Sequence, residues 1–254
     1  MSASSAFALD SAPLGRPPAI EPARDALFLD LDGTLAPIAA TPDLVVLPPD
    51  VGAALVSVQV ALDGRVAVIS GRSVADLGRL VGLPALYLAG VHGLERRFPD
   101  GRAEDVLPSA EMAAARGRIA ELAGREPRLL VEDKGLGIAV HFRLAPDLGP
   151  LVEREVRDIA ADAGLTVQTG KMVVELRQPG ADKGAAVGAF MEVPPFAGAR
   201  PIFVGDDDTD ECAFEAVAAL GGYGVLVGEP RVTAATYRLD DVTAVGRWLA
   251  EAAR

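Results

Sequence analysis

Three short apolar segments of this chain each run directly into polar or acidic residues. These segments are residues 26–30 (ALFLD), 65–71 (RVAVISG) and 201–205 (PIFVG). Short, uninterrupted apolar runs are typical of strands that are buried on both faces of a parallel sheet. Ligands bind at the carboxyl ends of the strands in open α/β sheets, so the polar residues after these runs are predicted to share one site.

Predicted helices alternate with these strands. Asp50 is predicted to cap a helix, and Ser73 with Asp76 has the spacing of a capping box. Asp182 is predicted to cap a further helix, and the last helix is expected from about Asp240. Alternation of this kind predicts an α/β fold with a parallel-sheet core.

Residues 109–179 have a different pattern, which reads helix, two strands, helix, two strands. The first strand pair is predicted around Lys134-Gly135, and the second turns at Thr169-Gly170. This pattern predicts an α+β cap domain inserted into the core.

The predicted organisation is therefore a core of residues 25–108 and 180–254, with the cap at 109–179 and hinges near 103–109 and 178–182. Residues 1–24 are rich in Ser, Ala and Pro and show no sustained period, so they are predicted to form a mobile tail.

Composition excludes several classes of partner. The chain has 24 Lys+Arg against 36 Asp+Glu, a formal charge of −12, whereas nucleic acids and anionic membranes need a basic footprint. No apolar run reaches the ~18–20 residues of a membrane span, and the N-terminus lacks the pattern of a secretory signal. The single cysteine, Cys212, cannot form an internal disulfide. We expect a soluble, cytoplasmic protein.

Two of the polar clusters at the strand ends would bring up to six carboxylates into one site. They are Asp30-Leu31-Asp32-Gly33-Thr34 and the acids of residues 205–210. Mutual repulsion would destabilise such a cluster unless a cation is present. Oxygen ligands without a nearby His or Cys suit a hard ion, and Mg²⁺ tolerates few protein ligands plus waters. Acids that merely cap helices at exposed loops are the alternative.

The strand-end residues resemble the four ordered motifs of the haloacid dehalogenase (HAD) superfamily of phosphohydrolases. The first is Asp30–Thr34 (DxDGT), the second is Ser70, the third is Lys183, and the fourth is Gly205-Asp206-Asp207 with Asp210. The resemblance implies a HAD-like core with a cap, and an Mg²⁺-dependent phosphatase.

The same resemblance implies residue roles. Asp30 would be the nucleophile that forms an aspartyl-phosphate, and Asp32 the general acid and base. Ser70 would donate to a phosphoryl oxygen and Lys183 would pair with Asp30. The implied Mg²⁺ ligands are Asp30, the backbone carbonyl of Asp32, and Asp206, with Asp207 and Asp210 as supplementary or supporting residues.

A narrower resemblance is to the trehalose-6-phosphate phosphatases. It rests on GDDxTDE at 205–211, on His92-Gly93-Leu94-Glu95, on Glu132 with Lys134, on His141 with Arg143, and on Gly170-Lys171 with Glu175. The contacts with substrate that it implies are Asp32, Gly33, Thr34, Arg72, His92, Glu95, Glu132, Lys134, His141, Arg143 and Glu175. A satisfied loop histidine is the alternative for His92, and a structural role is the alternative for Arg72.

Alternation along the cap strands supports a polar face. Lys171, Glu175 and Arg177 share one face of the predicted strand 171–177, opposite Met172, Val174 and Leu176. His141 and Arg143 share a face of the strand at 138–143. That face could close over the core and bind sugar hydroxyls, or it could be a solvated face with cross-strand ion pairs.

The function expected from these features is Mg²⁺-dependent hydrolysis of trehalose 6-phosphate, with a possible functional link to a trehalose-phosphate synthase. Three alternatives remain open. They are a phosphatase for another sugar phosphate such as that of sucrose or glucosylglycerol, a phosphomutase that returns the phosphoryl group to the sugar, and a non-catalytic sugar-phosphate sensor.

Overall fold

A computed structural model describes residues 14–252 apart from six positions: Ala40, Val106, Leu136, Lys171, Gly180 and Ala181. The described strands are β1 (Asp25–Leu29), β2 (Val66–Ile69), β3 (Tyr87–Gly90), β4 (Glu95–Arg97), β5 (Ala103–Asp105), β6 (Leu130–Asp133), β7 (Gly137–His141), β8 (Thr166–Gly170), β9 (Val173–Arg177), β10 (Arg200–Gly205), β11 (Tyr223–Val227) and β12 (Tyr237–Leu239). The described α-helices are α1 (Pro49–Ala61), α2 (Val74–Val81), α3 (Ala110–Arg125), α4 (Gly149–Ala163), α5 (Lys183–Met191), α6 (Glu211–Ala219) and α7 (Val242–Glu251).

The larger sheet has the order β12-β11-β10-β1-β2-β3-β4-β5. Its first six strands are parallel, and β4 and β5 complete it as an antiparallel hairpin. β1 pairs with β10 in register from Asp25↔Arg200 to Leu29↔Val204, so the loops that follow these two strands lie side by side. This arrangement confirms the predicted parallel-sheet core.

Both faces of the central strands are covered. Leu27 and Leu29 lie in the hydrophobic cluster that includes side chains of α1 and α7. Phe28 lies in the cluster on the opposite face, with side chains of α5 and α6. Burying a side chain of this size stabilises the fold by about 1.5–3 kcal/mol, which explains why β1 carries no polar residue between Ala26 and Leu29.

The second sheet is antiparallel, has the order β6-β7-β9-β8, and comes from the predicted insertion. Its apolar face packs on α3 and α4 through Ile138, Val140, Val174 and Leu176. Strand alternation places His141 and Glu175 on the opposite face, as the sequence predicts.

The segments between the two sheets are joined by one side chain. The Gln178 Oε1 atom accepts a hydrogen bond from Ser109 N at 2.9 Å. Its Nε2 atom donates to Leu107 O at 3.4 Å. Both connecting segments are therefore held together at the positions where hinges are predicted.

Two local predictions are wrong. Thr169 pairs with Val174 and Gly170 with Val173, so both residues belong to β8 and the second hairpin does not turn at Thr169-Gly170; the β-branched Thr169 suits a strand. Helix α1 begins at Pro49 with no side-chain cap, so Asp50 lies in its first turn. A proline at the first helical position has no N–H that needs a cap, and its fixed φ suits the helix.

The prediction of a mobile tail is wrong for residues 14–24, whereas residues 1–13 lie outside the described part. The Trp248 indole donates to Pro18 O at 2.8 Å, and Arg238 N donates to Gly15 O at 2.9 Å. Ile20 is buried in the main core. These long-range contacts have no signature in local periodicity.

Among the helices described, none has the length and apolar composition needed to cross a bilayer.

Candidate active site

A buried ammonium joins two carboxylates at the carboxyl end of the large sheet. Lys183 Nζ lies 3.0 Å from Asp30 Oδ1 and 2.6 Å from Asp210 Oδ1. All three side chains are at most 6% exposed. Burial opposes the charged form of Lys183, but the two carboxylates outweigh it and raise the pKa of the lysine above its ordinary value.

Each member of this cluster is positioned by backbone structure. Asp30 is the first residue after β1, and its N–H donates to Val204 O on β10. Lys183 is the first residue of α5, whose N-cap, Asp182, accepts a hydrogen bond from Ala185 N as predicted. Asp210 ends a short 3-10 helix and accepts hydrogen bonds at Oδ2 from the N–H groups of Asp206 and Asp207. Asp210 therefore holds both the lysine and the acidic loop.

Asp206 completes a group that could hold a metal ion. Carboxylate oxygens of Asp30, Asp206 and Asp210 all lie within 4.8 Å of one another. Thr34 Oγ1 donates to Asp206 Oδ1 at 3.2 Å. Gly33 has φ +88, and a Cβ there would lie 2.1 Å from the Asp206 carboxylate, so the close approach of the two loops requires glycine.

The electrostatics of this group fit a divalent cation. Burial first, and then the neighbouring carboxylates, raise the pKa of Asp206 to about 7. Burial raises the pKa of Asp30 well above its ordinary value, with Lys183 acting in the opposite direction. Three carboxylates against one ammonium leave a formal charge of −2 when all are ionised. Oxygen-only donors are the ligands that Mg²⁺ prefers.

Asp207 is not part of this group among the described residues. Its exposed carboxylate accepts a hydrogen bond from Asp208 N at 2.5 Å and caps the 3-10 helix.

The Asp32 carboxylate is paired with Arg72 and not with the cluster around Lys183. Arg72 Nε and Nη2 donate to its two oxygens at 2.6 and 2.7 Å, a bidentate pair.

Ser70 and Arg72 belong to one loop that follows β2. Ser70 is buried, and its Oγ accepts a hydrogen bond from Arg72 N at 3.2 Å. The neighbouring turn at Val91–Gly93 packs against this loop through the imidazole of His92, which lies against Gly71. Burial and the charges of Arg177, Lys183 and Lys134 hold the pKa of His92 well below its ordinary range.

Backbone strain is concentrated in the turn that carries His92. Val91 has φ +46 and His92 has φ +56, values that L-residues rarely adopt. Such conformations cost of order 1–3 kcal/mol each and persist only where the surroundings enforce them. Glu95, two residues after this turn, accepts a hydrogen bond at Oε2 from Val74 N, the first N–H of α2, at 2.7 Å.

The polar face of the small sheet carries two ion pairs. Lys134 Nζ lies 3.3 Å from Glu175 Oε2, and His141 Nε2 lies 3.2 Å from Glu132 Oε2. Glu175 Oε1 is buried and has no hydrogen-bond partner among the described residues. Arg143, predicted to share a strand face with His141, lies beyond the end of β7 and is exposed. Lys171 lies outside the described residues.

The charges on this face and those in the core site influence each other's pKa values. The hydrogen bond from His141 lowers the pKa of Glu132, and the charges of Lys134 and of Arg72 in the core lower it further. His92 in the core responds in turn to Lys134 and Arg177 of the small sheet. Charged groups of the core and of the small sheet thus act on one another across the gap between the sheets.

The comparisons with known proteins decide the family. The sequence profile of the trehalose-phosphatase family matches residues 28–243. The chain belongs to the trehalose-phosphatase family. It is 42% identical over 207 residues to a probable trehalose-phosphate phosphatase of Sinorhizobium fredii, covering 81% of this chain and 78% of that protein. It is 40% identical over 231 residues to a trehalose-6-phosphate phosphatase of Escherichia coli, covering 89% and 86%.

A solved structure of a trehalose-6-phosphate phosphatase related protein is 28% identical and has a TM-score of 0.72. The match covers 88% of this chain and 95% of that one. The parallel core with its inserted cap is the fold of the HAD phosphatases, so the predicted fold class is confirmed.

Two charged residues of this trehalose-phosphatase family member lie beside the site but are not among the predicted site residues. Arg177, at the end of β9, is hydrogen-bonded to Gln168 and has its pKa lowered by burial. Glu211 accepts hydrogen bonds from Arg231 and Thr233, and Arg231 Nη2 donates to Asp207 O at 2.9 Å. The available signals were the strand alternation of Arg177 with Glu175, and the position of Glu211 within GDDxTDE.

Proposed function

We propose that this protein hydrolyses trehalose 6-phosphate to trehalose and inorganic phosphate through an aspartyl-phosphate on Asp30. The observation that carries the proposal is the buried carboxylate of Asp30, with the Lys183 ammonium at 3.0 Å and Asp206 in the same cluster. Family membership and the names of the relatives supply the substrate class.

In the first step, an Asp30 oxygen attacks phosphorus in line with the sugar oxygen. The new bond joins Asp30 to phosphorus, and the bond from phosphorus to the sugar oxygen breaks. Asp32, protonated on one oxygen and held by Arg72 at the other, donates its proton to the departing oxygen, so that trehalose leaves as a neutral alcohol. Lys183 and the Ser70 hydroxyl offset the negative charge on the phosphoryl oxygens.

In the second step, water attacks the phosphorus of the aspartyl-phosphate. Asp32 takes up a proton from this water, which regenerates its acid form, and the Asp30 carboxylate leaves as inorganic phosphate forms. The arrangement favours this exchange because Asp32 follows Asp30 by two residues and lies at the mouth of the site, with a third of its side chain exposed.

An Mg²⁺ ion would be held by the carboxylates of Asp30 and Asp206 and by the backbone carbonyl of Asp32. When bound, it supplies charge that offsets the repulsion between the Asp30 carboxylate and the phosphate dianion. Asp210 would support this site, since its oxygens already accept hydrogen bonds from Lys183 and from two backbone N–H groups. Asp207 caps the 3-10 helix from the outer side of the same loop, and so it would support the metal site by stabilising this loop.

Recognition of the sugar is assigned to the polar face of the cap. Glu132, Lys134 and Glu175 would bind hydroxyl groups, and His141 and Arg143 would line the outer part of the face. The buried Oε1 of Glu175, which has no donor among the residues that the structure describes, supports this assignment, because a buried carboxylate oxygen without a donor is costly. On the core side, Gly33, Thr34, Arg72 and His92 would face the phosphate end.

The chemistry of the substrate indicates which class of reaction must come before this one. A glycosyltransferase that makes a disaccharide phosphate must supply it, so a functional link to a trehalose-phosphate synthase is part of the proposal. A trehalose synthase regulatory protein domain of Candida albicans has the same fold, at 14% identity and TM-score 0.69. A cytoplasmic location is supported by the single cysteine.

The test is phosphate release from trehalose 6-phosphate, sucrose 6-phosphate, glucose 6-phosphate and glucosylglycerol phosphate, with Mg²⁺ and with a chelator. We expect the highest kcat/KM for trehalose 6-phosphate, and loss of turnover with the chelator that added Mg²⁺ restores. A higher kcat/KM for another sugar phosphate would overturn the substrate assignment. An isomerised sugar phosphate without free phosphate would favour the mutase, and binding without turnover would favour the sensor.

A further inference from the structure

The loop of residues 70–74 is held along its whole length by the strand and turn beside it. His92 N donates to Ser70 O at 2.9 Å, and Val91 N donates to Arg72 O at 2.8 Å. At its far end, Val74 N donates to the Glu95 carboxylate at 2.7 Å. Three successive hydrogen bonds from one side thus determine where this loop lies.

The loop packs directly against the backbone of β3 at Gly90, where only glycine fits. A Cβ at Gly90 would lie 2.5 Å from Val74 N and 2.7 Å from Arg72 O. The two positive φ angles at Val91 and His92 follow directly after this contact. The chain accepts strain at this point, and the strained backbone supplies two of the three hydrogen bonds to the loop.

The loop in turn positions Asp32 through Arg72. The Arg72 guanidinium is 13% exposed and donates to both oxygens of the Asp32 carboxylate, while its Nη1 atom donates to Pro42 O at 3.2 Å. A bidentate pair of this kind determines the orientation of a carboxylate as well as its position.

We propose that Glu95 is a positioning residue that acts through the 70–74 loop and Arg72 on the Asp32 carboxylate, and that it does not contact the sugar. The inference rests on the proposed function, because it concerns the residue that protonates the leaving group there. It changes the role that the family resemblance suggested for Glu95, whose carboxylate holds the first N–H of α2.

The leaving group provides a direct test. A sugar alkoxide needs the proton that Asp32 supplies, whereas p-nitrophenolate leaves readily without one. In Glu95→Ala, we expect kcat/KM for trehalose 6-phosphate to fall by about 10- to 100-fold, as for a small misplacement of a catalytic group. With p-nitrophenyl phosphate the loss should be less than about threefold, and KM for trehalose 6-phosphate should stay within about twofold.

Two further variants control the experiment. Glu95→Gln keeps a carbonyl oxygen for Val74 N and should restore most of the lost activity. Glu104→Ala removes an acid from the adjoining strand that pairs with Arg96 and should behave like the wild type on both substrates. If Glu95→Ala fails to fold, Glu95→Asp replaces it, because the shorter carboxylate cannot hold Val74 N at the same place and the same dependence on leaving group is expected.

Two results would overturn the inference. A raised KM for trehalose 6-phosphate with unchanged kcat would make Glu95 a sugar contact, and equal losses on both substrates would leave it a purely structural role. Failure of the proposed function is distinguishable, since it would show in the wild-type protein as no release of phosphate from trehalose 6-phosphate. The comparison would then be repeated with the sugar phosphate that the wild type prefers.

Discussion

The two halves of the site differ in how their charges meet water. On the large sheet, Asp30, Lys183 and Asp210 are almost fully buried. On the small sheet, Glu132 and His141 are 46% and 35% exposed, and Lys134 with Glu175 is intermediate. Burial strengthens electrostatic interactions but makes an unpaired charge costly, whereas exposed pairs exchange partners readily. The core is therefore suited to chemistry at one fixed position, whereas the side chains that we propose as sugar contacts on the small sheet can adjust.

Removing the nucleophile is expected to have the largest effect. Asp30→Asn keeps the shape of the side chain but cannot form the acyl phosphate, so kcat should fall by about 10⁴- to 10⁶-fold. Binding of trehalose 6-phosphate, measured by calorimetry, should survive. Asp162→Asn, which removes an exposed acid from the small sheet's helix α4, is the matched control and should keep wild-type turnover. Turnover at the wild-type rate in Asp30→Asn would remove Asp30 from its proposed role.

The buried and exposed pairs can be compared directly by stability. Lys183→Met leaves Asp30 and Asp210 without their ammonium, so the free energy of unfolding of the metal-free protein should fall by about 3–5 kcal/mol. Arg118→Met breaks an exposed pair with Asp162 and should cost less than about 1 kcal/mol. Urea unfolding measures both. Equal losses in the two variants would contradict the distinction between the regions.

A change on the small sheet should alter binding of the sugar and spare the chemistry. In Glu175→Ala, a hydrogen bond that a sugar hydroxyl donates to the charged carboxylate is lost, so KM for trehalose 6-phosphate should rise by about 10- to 100-fold. Turnover of p-nitrophenyl phosphate, which has no sugar, should be unchanged. A similar loss with both substrates would show that Glu175 acts on the core and not on the sugar.

The smallest expected effect is a pH dependence of the free energy of unfolding that arises from His92. The pKa of His92 is held well below its ordinary value, so only the unfolded chain takes up a proton at this position as the pH falls below about 6.5. The contribution of a buried neutral imidazole is complete above that pH and is lost as the pH falls toward the folded-state pKa.

The wild type should therefore lose about 1 kcal/mol more stability than His92→Gln between pH 7.5 and pH 5.5. The matched control is His141→Gln, which removes the half-exposed histidine of the small sheet and leaves His92 in place. It should keep the wild-type difference between the two pH values. Urea unfolding at each pH provides the measurement, and identical pH dependence in the wild type and His92→Gln would contradict the prediction.

Much of the fold is already present in local sequence patterns. Buried parallel strands require unbroken apolar runs, so β1, β2 and β10 could be predicted from composition over a few residues. The Ser73 and Asp182 caps follow from the same kind of local rule, because each cap bonds an N–H three residues ahead. The cluster of Asp30, Lys183 and Asp206 could be expected since the carboxyl ends of parallel strands meet at one edge.

The partners of individual side chains were decided by the tertiary structure. No local pattern shows that Glu95 bonds Val74 N, that Arg72 occupies both oxygens of Asp32, or that Trp248 holds the segment at Pro18. The place of Thr169 and Gly170 within β8 likewise follows from the pairing of β8 with β9. Periodicity records which residues are buried, whereas the choice of partner depends on distances between segments that only the packed chain brings together.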